Sequence, residues 1–132
     1  MKGDSDHGVV LVEAKSYVDE LYGSGTGAKG ESLRRIRSSL EKTKQWLGVS
    51  DACDWTGSLY QTANRLAHLY FLRQIVGIPA WLVNVYFLND RIRPTSKSVW
   101  SVGLRRVKDE LGLNLERIDY VAEVFLGTSD AY

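Results

Sequence analysis

The sequence contains a single cysteine, Cys53, and this shortage excludes two kinds of site. An intrachain disulfide and a zinc site built from several cysteines both need more than one thiol. The longest apolar run, Ile78–Leu88, is far shorter than the ~18–20 residues that a membrane-spanning helix needs. The first residues, Met1–Asp6, lack the apolar core of a signal peptide. Because an unpaired thiol suits the reducing cytosol, we expect a cytoplasmic protein with no membrane segment.

The composition is that of an ordinary globular protein. Hydrophobic residues make up 44% of the 132 residues and charged residues 25%, which excludes a disordered chain, a collagen-like fibre and a coiled-coil rod. Domains cluster near ~100–150 residues, so the length has room for one domain and not for two. We expect a single domain, 1–132, with flexible ends at about 1–7 and 127–132.

The net charge is only +1, so the overall charge points to no particular partner. The distribution of charge is less even. Lys29–Lys44 holds six basic residues against two acidic ones, and Arg91–Lys108 holds six with no acid. A basic surface attracts phosphate backbones, which makes nucleic acid a possible partner. The alternative is a pair of solvated helix faces.

Hydrophobic periodicity predicts six elements in the order β-α-α-β-α-β. The strands are rich in β-branched and aromatic residues, and the two apolar runs predict strands that are covered on both faces. Helices between successive strands imply crossover connections. We therefore expect an α/β fold with a small, mixed three-stranded sheet flanked by helices. The predicted elements are a strand over 8–15, a helix over 31–47, a helix from Thr56 or Gly57 to Val76, a strand over 80–88, a helix over 97–111 and a strand over 118–126.

Glu13 and Lys15 form the first candidate site. Side chains two residues apart on a strand share a face, so this pair projects together from the end of an apolar strand. A carboxylate can bind Mg²⁺ through oxygen, and a nearby ammonium can stabilise charge that develops on a phosphate. The alternative is a plain ion pair where the strand reaches solvent.

The second candidate site is the polar stripe of the long helix. Gln61, Asn64, Arg65 and His68 follow helical spacing on an otherwise apolar helix. Arg65 is suited to holding a phosphate, and Gln61 to orienting a water or a ligand. A buried polar group without a partner costs ~1–3 kcal/mol. We therefore expect Gln61 and Arg65 to face the polar pair on the first strand, although a solvent-facing stripe is the alternative.

The segment Val10–Tyr17, with Glu13-Ala14-Lys15 at its centre, resembles the E-x-K strand of the PD-(D/E)XK nuclease superfamily, which has the restriction-endonuclease-like fold. Tyr60–Ala67 is similar to the helix that carries a polar residue into the site of that family. The resemblance implies that Glu13 is a metal ligand for Mg²⁺ or Mn²⁺ and that Lys15 is the catalytic lysine. It makes Gln61, Arg65 and Asn64 auxiliary residues.

The family also has an acidic metal ligand upstream of the E-x-K strand. Only twelve residues precede Glu13 here, and the acids among them are Asp4 and Asp6. The chain thus resembles a version of the fold that is shortened at its amino terminus. We expect a non-catalytic or degenerate binding and assembly module without a cofactor. The alternative is a divalent-metal-dependent nuclease that uses Glu13 and Lys15, with Asp4 or Asp6 as the further metal ligand.

The aromatic content bears on assembly. Four Trp and seven Tyr supply large side chains that suit an interface. A three-stranded sheet also leaves two edges to be covered. Two-fold dimers are the commonest closed assembly, so we expect a homodimer.

Overall fold

A computed structural model describes residues 7–50, 52–113 and 118–127. Most of the two ends predicted to be flexible lies outside these residues, and Gly127 ends the last strand. A 3₁₀ turn follows the first strand, and a π-helical segment continues the second helix. The main elements follow the predicted order. They are β1 (Val9–Lys15), α1 (Gly30–Leu47), α2 (Tyr60–Tyr70), β2 (Ala80–Leu88), α3 (Lys97–Leu111) and β3 (Val121–Gly127).

The three described strands form one sheet in the order β1-β2-β3, with β2 in the centre. Both strand pairs are parallel, and Glu13, Asn84 and Glu123 are aligned across the sheet by the two registers. The expectation of a mixed sheet is therefore wrong for these strands. The physical reason is that a helix lies in each connection and returns the chain to the same end of the sheet before the next strand begins.

The helix ends follow local chemistry. The Ser96 side chain accepts a hydrogen bond from the backbone N–H of Val99 and caps α3, and Gly112 ends that helix with a φ of 78°. The prediction that the second helix begins at Thr56 or Gly57 is wrong, because α2 begins at Tyr60. The Thr56 hydroxyl instead donates to Asp54 Oδ1 at 2.7 Å, in a turn that the chain makes before the helix.

All of the described helices lie on one side of the sheet. Both crossovers step in the same direction across the sheet, and crossovers of this kind are right-handed, which places their helices on the same face. The Trp100 ring of α3 packs 4.8 Å from the Tyr86 ring of β2. The outer helix α1 packs on α2. The core thus lies between the sheet and the pair α2 and α3, with Leu69, Leu82 and Trp100 among its most buried side chains.

The opposite side of the sheet is not covered by a described helix, and we call it the open face. The expectation that the first two strands are covered on both faces is therefore wrong. An apolar run looks the same whether one or both faces are covered, since only the direction of the crossovers decides the number of layers. By strand alternation, the open face consists of ten apolar side chains: Val10, Val12, Ala14, Trp81, Val83, Val85, Phe87, Ala122, Val124 and Leu126.

Among the described residues, no helix has both the length and the apolar character needed to cross a membrane.

Candidate functional site

Glu13 and Lys15 lie on the helix-covered face of β1, near the carboxyl end of the strand. Lys15 Nζ donates a hydrogen bond to Glu13 Oε1 at 3.3 Å. Lys15 is only 8% exposed, so its ammonium is almost wholly removed from water. A buried ammonium is stabilised only when an anion is close to it, and Glu13 supplies that anion.

Helix α2 supplies a second cation to Glu13. Arg65 Nε donates to Glu13 Oε2 at 2.7 Å, so each carboxylate oxygen is bound by a different basic residue of the chain. Gln61 lies one helical turn before Arg65 and lines the same cleft. The polar stripe of this helix therefore contacts the polar pair of β1 through Arg65, and Gln61 lines the cleft beside that contact.

Asn64 and His68 do not join this cleft. Both line a separate hollow between α1 and α2, together with Ser39 of α1. Successive residues of an α-helix are rotated by about 100°, so Asn64 and its neighbour Arg65 point in different directions. The structure therefore does not bring Asn64, predicted as an auxiliary site residue, together with Glu13 and Lys15.

Three residues of the site were missed by the sequence reasoning. Asn84 of β2 and Glu123 of β3 occupy the same row as Glu13, and Lys108 of α3 binds Glu123 with an Nζ–Oε1 distance of 2.7 Å. A signal for two of them is present in the sequence. Asn84 is the one polar residue within Ala80–Leu88, and Glu123 is the one charged residue of its strand. We call the complete set the polar layer, which consists of Glu13, Lys15, Arg65, Asn84, Lys108 and Glu123.

The charges of the polar layer shift the pKa of Glu13 within it and of Tyr86 beside it. Burial alone would raise the pKa of Glu13, but the hydrogen bond from Arg65 and the charges of Lys15 and Arg65 outweigh it and hold the pKa below its ordinary value of 4.5. Burial, followed by the charges of Glu123 and Glu13, raises the pKa of Tyr86 in the next row of β2. Tyr86 is therefore a neutral phenol and Glu13 a carboxylate at neutral pH.

This arrangement predicts how stability depends on pH. A carboxyl group whose pKa is lowered on folding stabilises the protein above its unfolded pKa and loses that contribution as pH falls through the folded pKa. We therefore expect the stability difference between the parent and Glu13→Gln to be largest at neutral pH and to shrink as pH falls below 4.5. Urea unfolding of both proteins over this pH range measures the difference. A difference that stays constant to the acid end would contradict the assignment.

The described residues do not fit a divalent metal ion. No group of three or more His, Cys, Asp or Glu side chains within them is placed to hold one. Asp4 and Asp6, the predicted further ligands, lie outside the described residues. The polar layer itself carries the cations Lys15, Arg65 and Lys108 against two carboxylates, so its formal charge is +1. A net positive site repels Mg²⁺ or Mn²⁺, which are bound by sites rich in anionic oxygen.

The space beside the polar layer is small. The cleft between the sheet and helices α2 and α3 has a volume of about 50 Å³. A pocket for a small-molecule ligand usually has ~300–1,000 Å³. The cleft is therefore of a size for a few ordered waters, and a whole nucleotide does not fit inside it.

Comparison with family models, with curated proteins and with solved structures finds no match to this chain. The resemblance of its E-x-K strand to the PD-(D/E)XK superfamily thus stays a prediction.

Proposed function

We propose that this chain is a non-catalytic binding and assembly module, with an architecture related to that of the PD-(D/E)XK nucleases. The observation that carries the proposal is the open face. Solvent-exposed apolar surface is costly, and a contiguous patch on a folded protein is typical of an interaction site. Ten apolar side chains on a single sheet face constitute such a patch.

The polar layer supports the non-catalytic part of the proposal. Both oxygens of Glu13 are engaged by cations of the same chain, and Glu123 is engaged by Lys108. Phosphodiester hydrolysis with a metal needs carboxylates that are free to bind that metal and to hold it beside the substrate. A set of paired charges between the sheet and two helices instead fixes how these elements pack.

The first basic segment, Lys29–Lys44, adds little to a nucleic-acid function. On α1, Arg34 and Arg35 are highly exposed, and both lie within ion-pair distance of Glu31. Exposed arginines that pair along a helix are typical of a solvated face. Nucleic acid is accordingly a weaker proposal than a protein partner, because these arginines already pair within the chain whereas no described helix covers the open face.

A cleavage assay tests the proposal directly. We expect no Mg²⁺- or Mn²⁺-dependent cutting of supercoiled plasmid or single-stranded oligonucleotide above the level of Glu13→Gln. This conservative variant keeps the volume of the side chain and removes its charge, so it is the matched control. Robust cutting by the parent that is lost in both Glu13→Gln and Lys15→Met would overturn the module and restore the nuclease. Loss of that activity in Asp4→Ala or Asp6→Ala would then identify the further metal ligand.

A further inference from the structure

The open face has two ends of different shape. At the end where the strands begin, a shallow groove of about 600 Å³ runs between the central and outer strands. Val10, Trp81 and Val83 form one part of its lining, and Tyr120 and Ala122 form another. Asp119 also lines the groove, so this end presents a hollow that is apolar except for one carboxylate.

The other end of the open face carries a pair of apolar side chains. Phe87 and Leu126 are register partners at the carboxyl ends of β2 and β3, and the Leu126 side chain is well exposed. The rows between the two ends carry only small or β-branched residues, namely Val12, Val83 and Ala122 in one row and Ala14, Val85 and Val124 in the next. The face thus has a groove at one end and an apolar pair at the other, separated by two rows of smaller side chains that we call the two flat rows.

We infer that the open face binds the open face of a second copy of this chain, which gives a two-fold dimer of stacked sheets; this inference rests on the proposed function and names its partner. The two-fold axis lies between the two stacked sheets, runs across the strands and passes midway between the two flat rows. Rotation about it reverses the direction of the strands, so each row of one copy lies over the row on the other side of the axis in its partner. Phe87 and Leu126 of each copy then lie over the groove of the other copy. The same surface thus supplies both the apolar pair and the groove over which it lies, as an isologous interface requires.

The charge of the face favours the same partner. The ten side chains that define it are uncharged, and the nearby charges of Asp119 and Arg73 lie at the groove end, so stacking two copies buries no unpaired charge among the ten. A partner with a charged surface would lose its hydration there without gaining an ion pair from these side chains. Two stacked sheets with interdigitated apolar side chains also form a common type of protein core.

The size of the face sets the expected strength of the dimer. Three strands at ~4.8 Å spacing, each of seven residues at ~3.3 Å rise, give a projected area of ~300 Å². Stable complexes bury ~800 Å² on each partner. Because the face is smaller than this, we expect a weak dimer, and sedimentation across micromolar to sub-millimolar concentrations should show the mass rise from 14.9 kDa towards twice that value.

Two valines provide a matched pair of variants. Val12 on the open face is 62% exposed, and Val102 on α3 is 65% exposed. We expect Val12→Glu to remain monomeric at concentrations where the parent and Val102→Glu are dimeric. Circular dichroism is the check that both variants are folded. A parent that stays monomeric throughout, or two variants that behave alike, would overturn the dimer. The proposed function would in that case still hold with a different protein partner. Detection of nuclease activity in the cleavage assay would instead contradict the proposed function.

The orientation of the two copies is tested by mixing two variants. Under the proposed two-fold axis, Val12 of one copy lies opposite Ala14 of the other. Val12→Glu and Ala14→Lys should each be monomeric when they are alone, and their equimolar mixture should recover a heterodimer through the new ion pair. Failure of the mixture to associate would overturn this arrangement.

Discussion

Replacing Glu13 with alanine is expected to lower the free energy of unfolding by about 2–4 kcal/mol at neutral pH, because it leaves a buried charge without its ion-pair partner. The cost arises mainly at Lys15, whose side chain is 9% exposed and loses the anion that contacts it. Arg65 contributes less, because its side chain is 41% exposed and can turn to water. Urea unfolding, followed by circular dichroism, measures the change.

A second substitution separates the effect of the unpaired Lys15 charge from the other effects of Glu13→Ala. Lys15→Met keeps most of the volume of the lysine and removes its charge, so the double variant Glu13→Ala/Lys15→Met should recover most of the lost stability. Glu31→Ala is the control for an exposed ion pair, since Glu31 pairs with Arg34 at the surface of α1 and should change stability by less than ~1 kcal/mol. A double variant no more stable than Glu13→Ala would show that the ammonium is not the source of the cost.

Replacing Trp100 with alanine is expected to cost about 3–5 kcal/mol, the range for deleting a large buried aromatic side chain. Trp100 is fully buried, and its ring packs 4.8 Å from that of Tyr86. Its indole N–H also donates to the backbone carbonyl of Phe87 at 2.9 Å, which ties α3 to the central strand. Denaturant unfolding at a fixed, low protein concentration gives the change without a contribution from assembly.

Trp100→Phe is the matched control for this prediction. Phenylalanine keeps a ring in the core but cannot donate to Phe87, so this variant should lose only about 1–3 kcal/mol. An alanine variant that unfolds at the same denaturant concentration as Trp100→Phe would contradict the assignment of Trp100 as the residue that fills the space between α3 and the sheet.

Some of the fold could be predicted because its signals are local. The capping hydroxyl of Ser96 and the stop at Gly112 lie at the ends of α3, and the structure has that helix over Lys97–Leu111, as predicted. The pairing of Glu13 with Lys15 is equally local, because strand alternation alone puts them on one face. The meeting of Arg65 with Glu13 required one further step. A polar stripe on an apolar helix needs a polar partner, and β1 carries such a pair.

The rest of the site depends on registers that no local pattern contains. Asn84 and Glu123 lie beside Glu13 only because the parallel strands pair in one particular register. A shift of one residue in that register would turn their side chains to the open face. The same limit applies to the open face itself. Val10 and Val12 have the composition of a buried strand, and their exposure results from both crossovers placing their helices on the other side.

The parallel pairing of β1 with β2 has a consequence for how the chain reaches its native state. Val9 pairs with Ala80, so β1 cannot pair with β2 until the chain that contains α1 and α2 has been formed between them. Contacts between such distant positions carry a large loop-closure entropy, and folding slows as the average contact order rises. During synthesis the ribosome releases β1 long before β2, which leaves an apolar strand without a neighbour. The chain is therefore expected to need protection from aggregation early in its synthesis, at the stage when Val9–Lys15 has emerged and Ala80–Leu88 has not.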